Sequence, residues 1–319
     1  MNNISAVTEF LLMGFAGTWK LQFLQAGVFI VIYLAALMGN GLIITITSLD
    51  PSLHTPMYFF LRNLSFFDLC LISAVIPKTI VNSLTHNDYI SFLGCVTQVF
   101  LVTFSAATEL FFLTAMSIDR YAAICHPLHY KVIMNRDTCV QMASLSLLSG
   151  CMLSMIHTAG TFSLSYCELN EIQQFFCDIP QLLAISCSEH VTAEIALIFI
   201  NAVLDLCCLA CIIISYTYIF STVKKIPSTE GQSKAYSTCL PHLAVVVLFI
   251  STALGAYFKP ILGSVSFTDL ILSAFYVLLP PSLNPIIYGL RNKAMKAGLK
   301  KLITTKLLTK ENLLIFFQK

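Results

Sequence analysis

The residues able to do chemistry in this chain are few, and most of them stand inside apolar runs. Asp119 and Arg120 close one such run within "TAMSIDRYAAICHPLHY", Thr114–Tyr130. Asp68 and Glu109 stand in the middle of two others, and Asp205 stands in a further one. A charged side chain at the centre of a bilayer costs about 2.5–3.5 kcal/mol or more, so each intramembrane acid is a functional-site hypothesis. The histidines (His54, His86, His126, His129, His157, His190, His242) are scattered and form no nucleophile–base or metal constellation. That pattern argues against an intramembrane enzyme, and no cofactor is expected.

The elements that position these groups follow from composition. The chain has 319 residues, 57% apolar and only 11% charged, whereas soluble domains carry about 25% charged residues. Seven apolar windows are each long enough to cross a hydrocarbon core. They run Leu24–Leu49, Met57–Val81, Cys95–Ile118, Val140–Phe162, Ala196–Val223, Thr238–Phe258 and Asp269–Leu290. The polar "KKIPSTEGQSKAYS", Lys224–Ser237, reads as a loop between the fifth and sixth. With no internal repeat, the expected fold is an all-α seven-helix membrane bundle forming one domain: a terminal segment 1–23, the spans in 24–290 and a tail 291–319. Glu9 precedes any long apolar run and no cleavable signal pattern is evident, so the first span is expected to serve as its own signal.

Apart from Lys20, Lys78 and Lys259, the basic residues gather on one side: Arg62, Arg120, Lys131, Arg136, Lys224, Lys225, Lys234 and the tail from Arg291 onward. The positive-inside rule makes that side cytoplasmic and places the N-terminus outside. Cys95 and Arg120 are 25 positions apart, about 37 Å of helix, so the Asp119–Arg120 pair falls at the inner rim. Four cysteines, Cys95, Cys167, Cys177 and Cys187, fall on the outer side, where three pairings are open to them. "NIS" at Asn3–Ser5 is an exposed glycosylation pattern; the same pattern at Asn63 lies within a span.

"DRY" at the end of the third of seven spans resembles the rhodopsin-like G-protein-coupled receptors. The surrounding text resembles the olfactory receptor family: "GN" at Gly39–Asn40, "LHTPMYFFL" at Leu53–Leu61, "SIDRYAAICHPLHY", "SY" at Ser215–Tyr216, "KAYSTCLPH" at Lys234–His242 and "PSLNPIIYGLRN" at Pro281–Asn292. The likeness spans nearly the whole chain, in order. Departures are Ile118, where the family usually has Tyr, and Ile250, where an aromatic is common.

The resemblance implies an odorant receptor of the plasma membrane that binds a volatile, hydrophobic small molecule. It implies coupling to a stimulatory heterotrimeric G protein that raises cyclic AMP, with membrane lipid and no nucleic acid among its partners. Asp119 would hold Arg120 at rest and release it to the G protein, beside Tyr121, with Tyr216 and Tyr288 swinging in to support it. Lys234 and His242 would ride on a moving sixth span, and Asn284–Pro285 would supply a hinge, since an interior proline removes a helix hydrogen bond. The resemblance also implies a Cys95–Cys177 disulfide, with Cys167–Cys187 as the second pair.

Asp68 lies 11 positions from Met57 and Glu109 lies 11 from Arg120. Both therefore stand about 16 Å above the inner face, where with Asn40 and Asn284 they could share a proton, bind a cation or form a static polar stitch. His157 is expected to be a packed, hydrogen-bonded residue. Val102, Thr103, Ala106 and Ala107 share an outer-half face of the third span by i, i+4 spacing. Opposite them the resemblance sets Asn201, Asp205, Ile250, Ser251, Leu254, Tyr257 and Tyr276. A mostly apolar lining with a few polar groups suits a small hydrophobic ligand.

The rival readings are a transporter, which would show paired repeats, and a receptor for another small molecule. The Asp of amine receptors is replaced here by Val102. In the tail, Met295, Leu299, Leu302 and Ile303 share a helical face, with Lys293, Lys296, Lys300 and Lys301 around the other. That spacing is expected to give a short amphipathic helix on the inner leaflet.

Overall fold

The fold is known from a computed structural model that describes residues 7–14, 19–166, 170–187, 191–262, 267–290, 294–302 and 304. Lipid offers no partner for a free N–H or C=O, so a spanning segment must close its backbone hydrogen bonds within itself. The seven apolar runs accordingly form helices: α1 (Trp19–Leu49), α2 (Pro56–Thr85), α3 (Phe92–Cys125), α4 (Arg136–Phe162), α5 (Val191–Val223), α6 (Thr229–Leu262) and α7 (Phe267–Pro285). Each is long and apolar enough to cross a membrane. The chain is thus a multi-pass membrane protein.

Local chemistry sets several helix ends. Ser91 Oγ accepts from Gly94 N–H at 3.1 Å to start α3, and Asn135 Oδ1 accepts from Thr138 N–H at 2.8 Å to start α4. Such caps satisfy donors that an N-terminal turn leaves orphaned. Pro56 opens α2, and His86, in the left-handed region at φ 53°, closes it. At the far end of α7 the ladder widens into a π turn over Ile286–Leu290, directly after Pro285, as expected where proline withdraws a donor.

One expectation changes. Most of the stretch read as a loop between the fifth and sixth spans is helical, because α6 begins at Thr229. Ser228 makes this possible: its Oγ accepts from Gly231 N–H at 3.1 Å and its carbonyl from Gln232 N–H at 3.1 Å. The bundle also carries a small sheet, β1 (Glu9–Leu12), β2 (Tyr89–Ser91) and β3 (Glu171–Ile172), in the order β2-β1-β3. β1 pairs antiparallel with β2, placing Phe10 opposite Ile90, and parallel with β3, placing Leu11 opposite Glu171. Alternation turns Phe10 and Leu12 inward, both fully buried.

The core has three parts. One, at the Arg120 end, packs Phe60, Phe112, Met116, Ile219 and Tyr288. The second joins α1, α2, α3, α6 and α7 around two loop residues, Phe175 and Phe176. The third lies beneath the sheet around Phe10, Cys95 and Tyr166. The tail forms the short helix expected of it, over 294–302. It lies against α1: a Cβ on Gly298 would sit 2.7 Å from Ile46 Cγ2, and Lys301 Nζ reaches Asp50 Oδ1 at 3.3 Å. Met295 is buried there.

Candidate functional site

At the end of α3 the Asp119 carboxylate is fully buried and the Arg120 side chain folds back onto it. Arg120 Nε donates to Asp119 Oδ2 at 3.0 Å, and a second guanidinium nitrogen donates to the same oxygen. The other oxygen, Oδ1, accepts from Tyr130 Oη at 2.7 Å. Tyr130 opens a one-turn helix over Tyr130–Ile133; burial and the adjoining Asp119 carboxylate push its phenol upward, so it stays a donor. Both carboxylate oxygens are therefore satisfied, as a buried charge requires. Sequence reasoning missed Tyr130, although it stands in the same quoted motif.

Tyr216 on α5 and His242 on α6 are buried side by side. Tyr216 Oη lies 2.7 Å from His242 Nδ1, and His242 Nε2 donates to the Leu113 carbonyl of α3 at 3.1 Å. One imidazole thus ties three helices. Tyr288 is buried with no partner for its hydroxyl among the described residues, while Tyr121 Oη meets His126 Nε2 at 3.1 Å. Lys234 is exposed. Pro285 lies against α1 where only glycine fits, since a Cβ on Gly39 would fall 2.7 Å from Pro285 Cβ.

Midway along the bundle, Asn284 Nδ2 donates to both oxygens of Asp68, at 2.9 and 3.0 Å. Asn40 instead donates to the Pro281 carbonyl at 2.8 Å, stitching α1 to α7. Glu109 is fully buried, and neither of its oxygens has a hydrogen-bond partner among the described residues. Ser65, Ser105 and Thr108 hydroxyls and Asn40 Oδ1 are also without partners there.

Toward the disulfide end, Cys95 of α3 is bonded to Cys177. Cys187 is disulfide-bonded too, while Cys167 lies outside the described residues. Gln98 Oε1 accepts from Cys177 N–H at 2.7 Å, and Gln174 Nε2 donates to Ser273 Oγ at 2.8 Å. These bonds carry the loop into the bundle mouth, where Phe175 and Phe176 are buried with Val102, Ala256 and Tyr276. Ala106 packs against both this cluster and the one below it. Thr103, Ala107, Asn201, Asp205 and Ile250 are half-buried. Ser251 and Leu254 are exposed and line a groove between α5 and α6. The side chain of Tyr257, together with Asn3, Lys293 and Ile303, lies outside the described residues.

A further polar set joins α4 to α5. His157 Nδ1 lies 3.0 Å from Glu194 Oε1, which also accepts from Thr161 Oγ1 at 3.3 Å. Glu194, an acid in the first turn of α5, is buried. The glycine at 160 makes room: a Cβ there would run into Glu194 Oε2. Asp205 pairs locally, accepting a long 3.4 Å contact from Asn201 Nδ2. At the middle of α4, a Cβ on Gly150 would run into Thr108 Oγ1 of α3. Small residues at crossings let membrane helices approach closely.

The sequence pattern of the family described as "Olfactory receptor" matches residues 29–306. The human "Olfactory receptor 14A16" is 64% identical over 97% of this chain and 100% of its own length. The human "Olfactory receptor 14A2" is 55% identical over 95% of this chain and 96% of its own. The crystal structure of squid rhodopsin superposes with a TM-score of 0.72, covering 92% of this chain and 88% of that one at 18% identity, a likeness of fold.

Proposed function

This chain belongs to the olfactory receptor family, and we propose that it is an odorant receptor for small, volatile, hydrophobic molecules that drives a stimulatory G protein and raises cyclic AMP. Family membership makes it a receptor rather than an enzyme, with a small-molecule ligand and a G protein as partners. The observation that carries the mechanism is Arg120, held by an acid at one end of α3 while the same helix presents Val102, Thr103, Ala106 and Ala107 toward the other. A ligand can shift such an equilibrium only by its different affinity for the two states.

In this reading the ligand sits between α3, α5, α6 and α7, against Ala106, Ala107, Asn201, Asp205, Ile250 and Tyr276. The shift lets α6 move, which frees Tyr216 from His242 and Arg120 from Asp119. Arg120 then meets the G protein, with Tyr121, Tyr216, Lys234 and Tyr288 supporting it and Asn284–Pro285 yielding as the hinge. Asp68 and Glu109 cannot both ionise in a dry site without a compensating positive charge, so the pair holds one proton or one small cation beside Asn284 and Asn40.

The whole chain forms one receptor domain in the plasma membrane. Its basic end faces the cytoplasm, its N-terminus with Asn3 as a glycan site lies outside, and Cys167–Cys187 is the second disulfide. The test is a cyclic-AMP reporter in cells expressing the full chain, screened against a panel of volatile compounds. An agonist whose potency collapses in Ala106→Phe at normal surface display is the expected result. A panel without response, or an agonist indifferent to that change, overturns the reading or its pocket respectively.

A further inference from the structure

The groove between α5 and α6 has a volume of about 460 Å³ and opens on the outer wall of the bundle, within the spanning lengths of both helices. That lies inside the range of roughly 300–1,000 Å³ typical of small-molecule pockets. Its walls are Leu209, Ile212 and Ile213 from α5 and Val247, Ile250 and Leu254 from α6. Val247 is 60% exposed, Ile213 56% and Leu254 49%.

The hydroxyl protons around this groove are already committed. Thr217 Oγ1 donates to the Ile213 carbonyl at 2.7 Å and Ser251 Oγ to the Leu248 carbonyl at 3.0 Å. Tyr216 Oη is engaged by His242. An acceptor head such as a carbonyl or carboxylate would find no free donor there, at a cost of about 1–3 kcal/mol per group, and a donor head would find only the spare lone pairs of two hydroxyls. An apolar molecule loses nothing of the kind. The mouth at the disulfide end, by contrast, is filled by Phe175 and Phe176.

From this geometry we infer that the α5–α6 groove is a second binding site, filled from the bilayer, for small and wholly apolar molecules. Its inner wall includes Tyr216, whose ring stacks on His242 with centroids 5.7 Å apart. An occupant therefore packs against both helices while Tyr216 and His242 are joined. By population shift it stabilises that joined state and damps signalling. The damping rests on the receptor reading above; the binding site does not.

The test uses the full chain in phosphatidylcholine nanodiscs and the photoreactive probe trifluoromethyl-phenyl-diazirine, with labelled residues mapped by mass spectrometry. Labelling of Leu209, Ile213, Val247 and Leu254 should saturate with probe and be displaced by excess n-decane. Labelling of Val31 and Leu148, exposed on α1 and α4, should rise linearly. Val247→Trp, or Ile213→Trp if the first variant fails to reach the membrane, should abolish the saturable component, while Val31→Trp should not. Linear labelling throughout, or saturation that survives a tryptophan in the groove, overturns the site. In cells, n-decane should lower ligand-free reporter signal; saturable labelling without that loss overturns the damping alone.

Discussion

Tyr216 Oη and His242 Nδ1 are joined at 2.7 Å across α5 and α6, and the far nitrogen of the same imidazole is bonded to the α3 carbonyl of Leu113. His242→Phe keeps an aromatic ring and removes both bonds. At about 1 kcal/mol net for each bond, losing both is on the order of thirtyfold in population, so ligand-free cyclic AMP should rise at least severalfold. Arg120→Ala in the same background should return the signal to that of untransfected cells. A His242→Phe receptor with unchanged basal signal would show that the bond is merely structural.

Gly160 and Glu194 give a second, independent prediction. A Cβ at 160 would occupy the place of Glu194 Oε2, so Gly160→Ala should destabilise the receptor by about 1–3 kcal/mol, the usual cost of overpacking. Glu194→Ala removes the obstructing carboxylate but orphans His157. The two changes share one space and should be strongly non-additive. Thermal melting of the single and double variants in nanodiscs measures this; simple additivity would mean that α4 and α5 part easily.

Asp178 sets a pH dependence. It is buried beside Cys177 at the start of the short helix Ile179–Ala184. Burial pushes its carboxyl up to about 7. The folded loop therefore binds a proton that the unfolded chain releases between about pH 4 and 7, so stability is greatest on the acid side and declines as pH rises through 7. Protection of residues 170–187, taken relative to the intrinsic exchange rate at each pH, should fall over that window, and Asp178→Asn should flatten the profile. A loop that instead tightens with rising pH contradicts the assignment.

The Asp68–Glu109 pair distinguishes a proton from a cation. If a cation is held, raising sodium at constant ionic strength should stabilise the ligand-free receptor, and Glu109→Gln should erase the effect. If a proton is shared, melting should follow pH and ignore sodium. A receptor indifferent to both would leave the acids as a static stitch.

Much of this protein could be read from its residue order. The seven spans follow because lipid solvent leaves an apolar chain one way to satisfy its backbone, and that constraint is local. The Asp119–Arg120 pair was legible because adjacency and helix rise place it at one end of α3. The cap at Ser228 was also local and readable, yet polar composition alone does not separate a solvated helix from a loop, and α6 was cut short.

Other features exist only once distant segments meet. Glu194 and His157 stand 37 residues apart, and nothing near either one announces the other. The sheet joins strands of two to four residues drawn from three separate regions, each too short to carry a periodic signal. The rotation of α6, which turns Ser251 and Leu254 outward, was unreadable because that helix is apolar on most of its faces, and packing decides which of them the bundle takes. Residue order determined that this chain spans a membrane as a receptor with a guarded arginine. Tertiary contact decided which of its buried polar groups found partners and where an apolar gap was left open to the bilayer.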